Sequence, residues 1–181
     1  YNHKELRLEL ELINKRNWFG HSDTETLLAA IEEWGLEKTL LKSKGMFAIA
    51  LWDKNSQNLS IACDRIGEKP LYYGWVKGQF VFASELKSIK KFPEFNNPID
   101  RNSLALFLRF NSIPAPHSIY KDIYKLEPGQ IIQIHADSKK IKKHSYWSTE
   151  FIYKKGNMAQ YSFTPSEAVN QLETILSNAV S

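Results

Sequence analysis

Cysteine is nearly absent. The 181-residue chain holds one, Cys63, which excludes an internal disulfide and a cysteine-based metal cage within the chain. The five histidines, His3, His21, His117, His135 and His144, never fall at the i, i+4 spacing of a helical metal site, and no HExxH occurs, so metal catalysis has no support. Long apolar runs are missing too: none approaches the roughly 20 residues that span a bilayer. No signal peptide is expected, and the expected location is cytoplasmic. Neither GxGxxG nor GxxxxGK followed by Ser or Thr is present, which removes the glycine loops that cradle nucleotide phosphates. Charge of one sign is scarce as well, with 24 basic against 20 acidic side chains for a net +4. The one basic run, "KKIKKH" at Lys139 to His144, reads as a solvated hairpin, so neither nucleic acid nor membrane is an expected partner. An initiator methionine is also lacking: the chain starts "YNHKEL", so sequence is expected to be missing upstream, and any function whose key residue lies at the true N-terminus would be invisible here.

What is present suffices for a core. Hydrophobic residues make up 43% of the chain, enough for one domain and a fragment of a second. "KELRLELELINKR", residues 4–16, favours an amphipathic helix through Leu6, Leu10 and Ile13, although "LRLELEL" alternates locally like a strand. "HSDTETLLAAIEEWG" predicts a helix with Ser22 and Glu25 as a capping box and Gly35 as its stop, and "LEKTLLKSKG" a short second helix. The period then changes to two. Met46–Trp52 and Leu59–Cys63 read as one hairpin, "LYYGWVKGQFVFASE" as another with its turn near Lys77 and Gly78, and the four strands together imply an antiparallel sheet. "SELKSIKKF" and "DRNSLALFLRF" return to helical patterns, the latter capped by Asp100. "IPAPHSIYKDIYKLEPGQIIQIHAD" is a proline-punctuated loop with further strands. Residues 149–164 are polar and aperiodic, which suits a linker, and residues 165–181 open with an amphipathic helix that belongs to a following domain. Helices, antiparallel strands, then helices and more strands define an α+β layered domain.

Three features invite a chemical reading, and each has a plainer one. Cys63 ends an alternating strand with no histidine near it in sequence, so a buried small hydrophobe is favoured over a nucleophile. In "ACDRIGEKPLYYG", Gly67 can supply a positive φ and Pro70 a fixed one, so a sharp turn held by Asp64 and Arg65 competes with an anion site built on Arg65 and Lys69. The turn leads. Asp23 is either part of a helix cap, beside Ser22 and favourable to the helix dipole, or a carboxylate presented to an ammonium group; from the residues alone, capping leads.

The order of motifs says more than any one of them. "YNHKELR", "SDTETLL", "GMFAIALWD", "DRIGEKPLYYG", "FASELKSI", "IPAPHSIYKDIYKLEPG" and "EAVNQLETILSNAV" resemble the glutamine-hydrolysing asparagine synthetases across nearly the whole chain. The resemblance implies an N-terminal-nucleophile (Ntn) hydrolase-type four-layer sandwich, two antiparallel β-sheets between α-helical layers, lacking its first strands here. It also implies a class II (type 2) glutamine amidotransferase domain over 1–148, a linker over 149–164 and the first helix of an ATP-dependent synthetase domain over 165–181. In that family an N-terminal cysteine attacks the glutamine amide with its own α-amino group as base, and ammonia passes to a second site. There ATP and Mg²⁺ activate aspartate as its adenylate.

Carried over position by position, the resemblance contributes one site residue: Asp23, matching the aspartate that binds the α-ammonium of glutamine. This reverses the preference for a cap. The nucleophile, the oxyanion hole and the arginine loop that grips the glutamine carboxylate are expected upstream of Tyr1. The ATP-binding loop is expected beyond Ser181, so the polypeptide alone is expected to bind neither ATP nor Mg²⁺ and to be inactive. Expected partners are glutamine, aspartate, the chain's own synthetase domain and a second copy in a homodimer. Two rival readings are a related enzyme acting on a sugar acid in surface-polysaccharide synthesis and a non-catalytic scaffold that has lost its cysteine.

Overall fold

The computed structural model describes residues 2–158 and 163–180. In chain order it contains α1 (His3–Ile13), α2 (Asp23–Trp34), α3 (Leu36–Lys42), β1 (Ala48–Asp53), β2 (Asn58–Cys63), β3 (Tyr72–Val76), β4 (Gln79–Ala83), α4 (Leu86–Lys90), α5 (Arg101–Phe110), β5 (Ile123–Lys125), β6 (Gln130–His135), β7 (Ile141–Ser145), α6 (Thr149–Met158) and α7 (Pro165–Val180). These group into two compact units, residues 1–148 and 149–181. Among the described residues no helix is long and apolar enough to cross a membrane.

The two predicted hairpins form, but not as one sheet. β1 and β2 belong to a four-stranded sheet of order β1-β2-β6-β7, while β3 and β4 lie in a three-stranded sheet of order β4-β3-β5. Every pairing is antiparallel. The "DRIGEKP" loop therefore crosses from one sheet to the other. Packing explains the division. On β2, Ile61 and Cys63 point toward Tyr73 of the second sheet, and Ala62 between them points toward Leu40 of α3. A strand that is apolar on both faces needs a layer on each side, so Leu40, Ala62, Ile131 and Tyr146 fill the helix-facing side. On the outer side of the second sheet, Val76, Val81 and Ile123 pack on Ile89 of α4. The order is helices, sheet, sheet, helix, as the resemblance implies.

Sheet geometry imposes one residue choice. A Cβ on Gly74 would lie 2.0 Å from the Asp122 carbonyl oxygen, so only glycine lets β3 lie this close to the chain entering β5.

The helix starts correct one expectation. Ser22 does cap α2, its hydroxyl accepting from the Thr24 N–H at 3.1 Å. Glu25, however, does not return to the Ser22 N–H as a capping box requires; it accepts from the Phe19 and Gly20 N–H groups at 2.8 and 3.1 Å. The reciprocal box occurs at α7 instead, where Thr164 N–H donates to Glu167 at 2.8 Å and Glu167 N–H donates to the Thr164 hydroxyl at 3.4 Å. Asp100 caps α5 as expected, accepting from Asn102 N–H and the Ser103 hydroxyl, both at 3.0 Å. The aperiodic segment expected as an irregular linker is helical over Thr149–Met158, with no buried residue. Its remainder at residues 159–162 lies outside the described residues.

Candidate functional site

A cleft of about 450 Å³ opens along β1, at the edge of the four-stranded sheet, and is walled by the start of α1 and by α2 from Asp23 to Ile31. Apolar side chains such as Leu27, Ile31 and Phe47 line its sides, and its polar groups come from four segments: Asn2 and His3, Asp23, Lys44, and Lys69. Each is placed by an identifiable device.

Asp23 is the first residue of α2. Because Ser22 already supplies the cap, the exposed Asp23 carboxylate meets only its neighbour's hydroxyl, Thr24 at 3.4 Å, among the described residues. It sits at the positive end of the α2 dipole, which favours a carboxylate there. Arg7 of α1 holds the loop leading into it. Its guanidinium donates to the Gly20 carbonyl at 2.8 Å, the Ser22 carbonyl at 3.1 Å and the Thr26 hydroxyl at 2.8 Å, and its plane lies over Trp18, 4.3 Å from the ring centroid. Glu25 secures the same loop from the other side. The Phe19 N–H foremost, and then the Gly20 N–H and Arg7, hold its carboxyl below the usual 4.5.

Asn2 ties α1 to the segment that enters β1. Its amide donates to the Lys42 carbonyl at 3.0 Å and its oxygen accepts from the Lys44 N–H at 2.8 Å. His3, also on the cleft wall, keeps a buried Nδ1 without a hydrogen-bond partner among the described residues. Nothing in the sequence pattern singled out Asn2 or Arg7; the only signal was their place in "YNHKELR".

The "DRIGEKP" loop divides the two cations that the sequence paired as an anion site. Arg65 donates to the Leu41 carbonyl of α3 and serves the turn, whereas Lys69 lines the cleft. Lys44 forms an ion pair with Glu5 at 3.8 Å, but Lys69 has no carboxylate partner among the described residues. Asp64, 2% exposed, organises the loop. Its Oδ1 accepts from Ile66 and Glu68 N–H at 3.2 and 2.9 Å, and its Oδ2 from Phe47 and Lys69 N–H at 3.3 and 2.9 Å. Gly67, at φ +69, makes the reversal that brings these donors to one carboxylate.

Cys63 has no catalytic character. It is 1% exposed, its thiol donates to the Glu127 carbonyl at 3.1 Å, and burial, helped by the Asp64 charge, pushes it up to about 11. A thiol in that state is neither ionised nor accessible at neutral pH. Among the described residues no group of three or more His, Cys, Asp or Glu side chains could hold a metal ion.

The fold is that of an amidotransferase domain. Residues 1–147 match the glutamine amidotransferase domain family, to which the chain belongs. Asparagine synthetase (glutamine-hydrolyzing) 1 of Bacillus subtilis is 39% identical over 138 residues, covering 76% of this chain and 21% of that protein. Asparagine synthetase (glutamine-hydrolyzing) 2 of the same organism is 28% identical over 185 aligned residues, covering 99% of this chain and 24% of that protein. Among solved structures, the glutamine phosphoribosylpyrophosphate amidotransferase of B. subtilis, complexed with ADP and GMP, superposes with a TM-score of 0.53 at 20% identity, covering 82% of this chain and 27% of that one. The chain thus spans about a quarter of the length of these relatives.

Proposed function

We propose that the chain is the glutamine-binding part of an ATP-dependent asparagine synthetase, which makes asparagine, glutamate, AMP and pyrophosphate from aspartate, glutamine and ATP. The observation that carries this reading is Asp23. It is a carboxylate without an ion pair among the described residues, on the wall of a largely apolar cleft, in a chain of the glutamine amidotransferase family whose relatives are named asparagine synthetases. An α-amino acid brings an ammonium group that such a carboxylate can hold through a charge-assisted hydrogen bond. The apolar wall from Leu27, Ile31 and Phe47 suits the methylene stem of glutamine.

The chain's own residues bind and orient. Asp23 fixes the ammonium, Arg7 and Glu25 fix Asp23, and Asn2 fixes the wall beside it. The buried Cys63 takes no part in amide cleavage, so the attacking group comes from another segment of the protein. ATP and its magnesium do not fit this cleft, which offers two lysines and one aspartate and no glycine-rich phosphate cradle; they belong to the synthetase part.

The reading is tested with the full polypeptide that carries this chain. Aspartate, ATP and glutamine together are expected to yield asparagine and AMP in equal amounts, and ammonia to substitute for glutamine. Glutamine-dependent AMP formation that needs a different carboxylate would replace asparagine synthetase with a related ligase. Failure of glutamine with any acceptor would reject the glutaminase reading.

A further inference from the structure

Resting on the reading of the cleft as the glutamine site, we propose that Lys69 binds the carboxylate of the amino acid there, and that the buried Asp64 is the positioning residue that holds it in place. An α-amino acid carries one positive and one negative group. Of the charged side chains that line the cleft, Asp23 and Lys69 are those without an ion pair among the described residues, while Lys44 is engaged by Glu5. Together they complement a zwitterion. Lys69 acts beside the upstream arginine that the family resemblance implies.

The link to Asp64 is visible in how its oxygens are divided. Oδ1 takes the two N–H groups internal to the turn, from Ile66 and Glu68, whereas Oδ2 takes those of Phe47 and Lys69, which both line the cleft. One buried oxygen thus fixes the spacing between the start of β1 and the residue bearing the ammonium. The backbone of Asp64 adds to the hold: its N–H donates to the Phe47 carbonyl at 3.0 Å, and its carbonyl accepts from Gly129 N–H at 2.9 Å. A buried carboxylate saturated with backbone donors has no capacity left for substrate, so Asp64 acts through Lys69 and Phe47.

The test compares variants of the full polypeptide in glutamine-dependent and ammonia-dependent synthesis. Lys69→Gln and Asp64→Asn are each expected to raise the glutamine KM by about threefold to tenfold, the range of one lost hydrogen bond at a solvent-exposed side chain, with ammonia-dependent synthesis unmoved. Lys69→Arg should recover most of the loss. Asn97→Ala serves as the structural control, because Asn97 ties the Trp75 and Lys121 carbonyls and lines no part of the cleft. It should lower the melting temperature without moving the glutamine KM. An unchanged KM in Lys69→Gln, with a raised KM in Asp23→Asn, would overturn the proposal and leave the cleft reading intact; an unchanged KM in both would reject the cleft reading. If Asp64→Asn yields no folded protein, amide exchange in the wild type decides the Asp64 half. Strong protection of both the Phe47 and Lys69 N–H groups supports it, and rapid exchange at Lys69 overturns it.

Discussion

At the start of α2, Asp23 is exposed and its carboxylate accepts from one neighbouring hydroxyl at 3.4 Å, because Ser22 has taken the capping N–H. In the loop between β2 and β3, Asp64 is 2% exposed and its carboxylate accepts four backbone N–H groups. Both residues border the same cleft, one directly and the other through Phe47 and Lys69. The contrast separates two uses of one side chain. A carboxylate saturated by backbone donors shapes the protein; one left unsatisfied at a helix start can receive a ligand.

The comparison breaks most readily at Asp64. Asp64→Ala leaves buried N–H donors without acceptors, at about 1–3 kcal/mol each where no water replaces the carboxylate, for an expected total near 3–5 kcal/mol. Urea denaturation of residues 1–148 measures this, and a loss below about 1 kcal/mol would show that water or neighbouring carbonyls serve those donors equally well.

A smaller effect is expected at Glu25, which holds the loop before Asp23. Its pKa is lowered from 4.5, mainly by the Phe19 N–H, so its contribution is fully present above about pH 4.5 and is lost as pH falls through the folded value. Glu25→Gln should therefore lower the melting temperature more at pH 7 than at acidic pH, the deficit shrinking as pH falls below 4.5. An equal deficit at both pH values would mean that packing, not charge, is responsible.

The smallest effect is expected at Cys63. With the thiol buried and raised to about 11, iodoacetamide at pH 8 should leave the folded chain unmodified and alkylate it once it is unfolded in guanidinium. Equal rates in both states would place Cys63 at an accessible, functional surface.

How much of this was legible in the sequence depends on the range of each interaction. Caps and hairpins are local, so Ser22, Asp100 and the turn at Lys77 and Gly78 declare themselves. The division into two sheets is not local: β2 pairs with β6, as in Asn58 with His135, and alternation within β2 cannot reveal which strand lies on its far side. Helix α6 was hidden because "TEFIYKKGNM" buries nothing and so carries no apolar period. The capping box was sought at Ser22 and Glu25, but Arg7 and the Phe19 and Gly20 N–H groups compete for Glu25, and the local pattern of residues 22–25 contains none of them. Asp23 was readable both ways from the residues alone: Ser22 already held the cap, and only the family resemblance favoured a binding role. Arg65 and Lys69 were indistinguishable as cations, since only the loop path sends one to the Leu41 carbonyl and the other to the cleft.

The central claim, that the exposed Asp23 receives the ammonium group of glutamine, is tested most directly by Asp23→Asn in the full polypeptide, with the glutamine KM and the ammonia-dependent rate measured on the same preparation. The account predicts a glutamine KM raised by about tenfold or more, the range of a lost charged hydrogen bond, with ammonia-dependent synthesis intact. A parallel fall of both activities, or an unchanged glutamine KM, would contradict it.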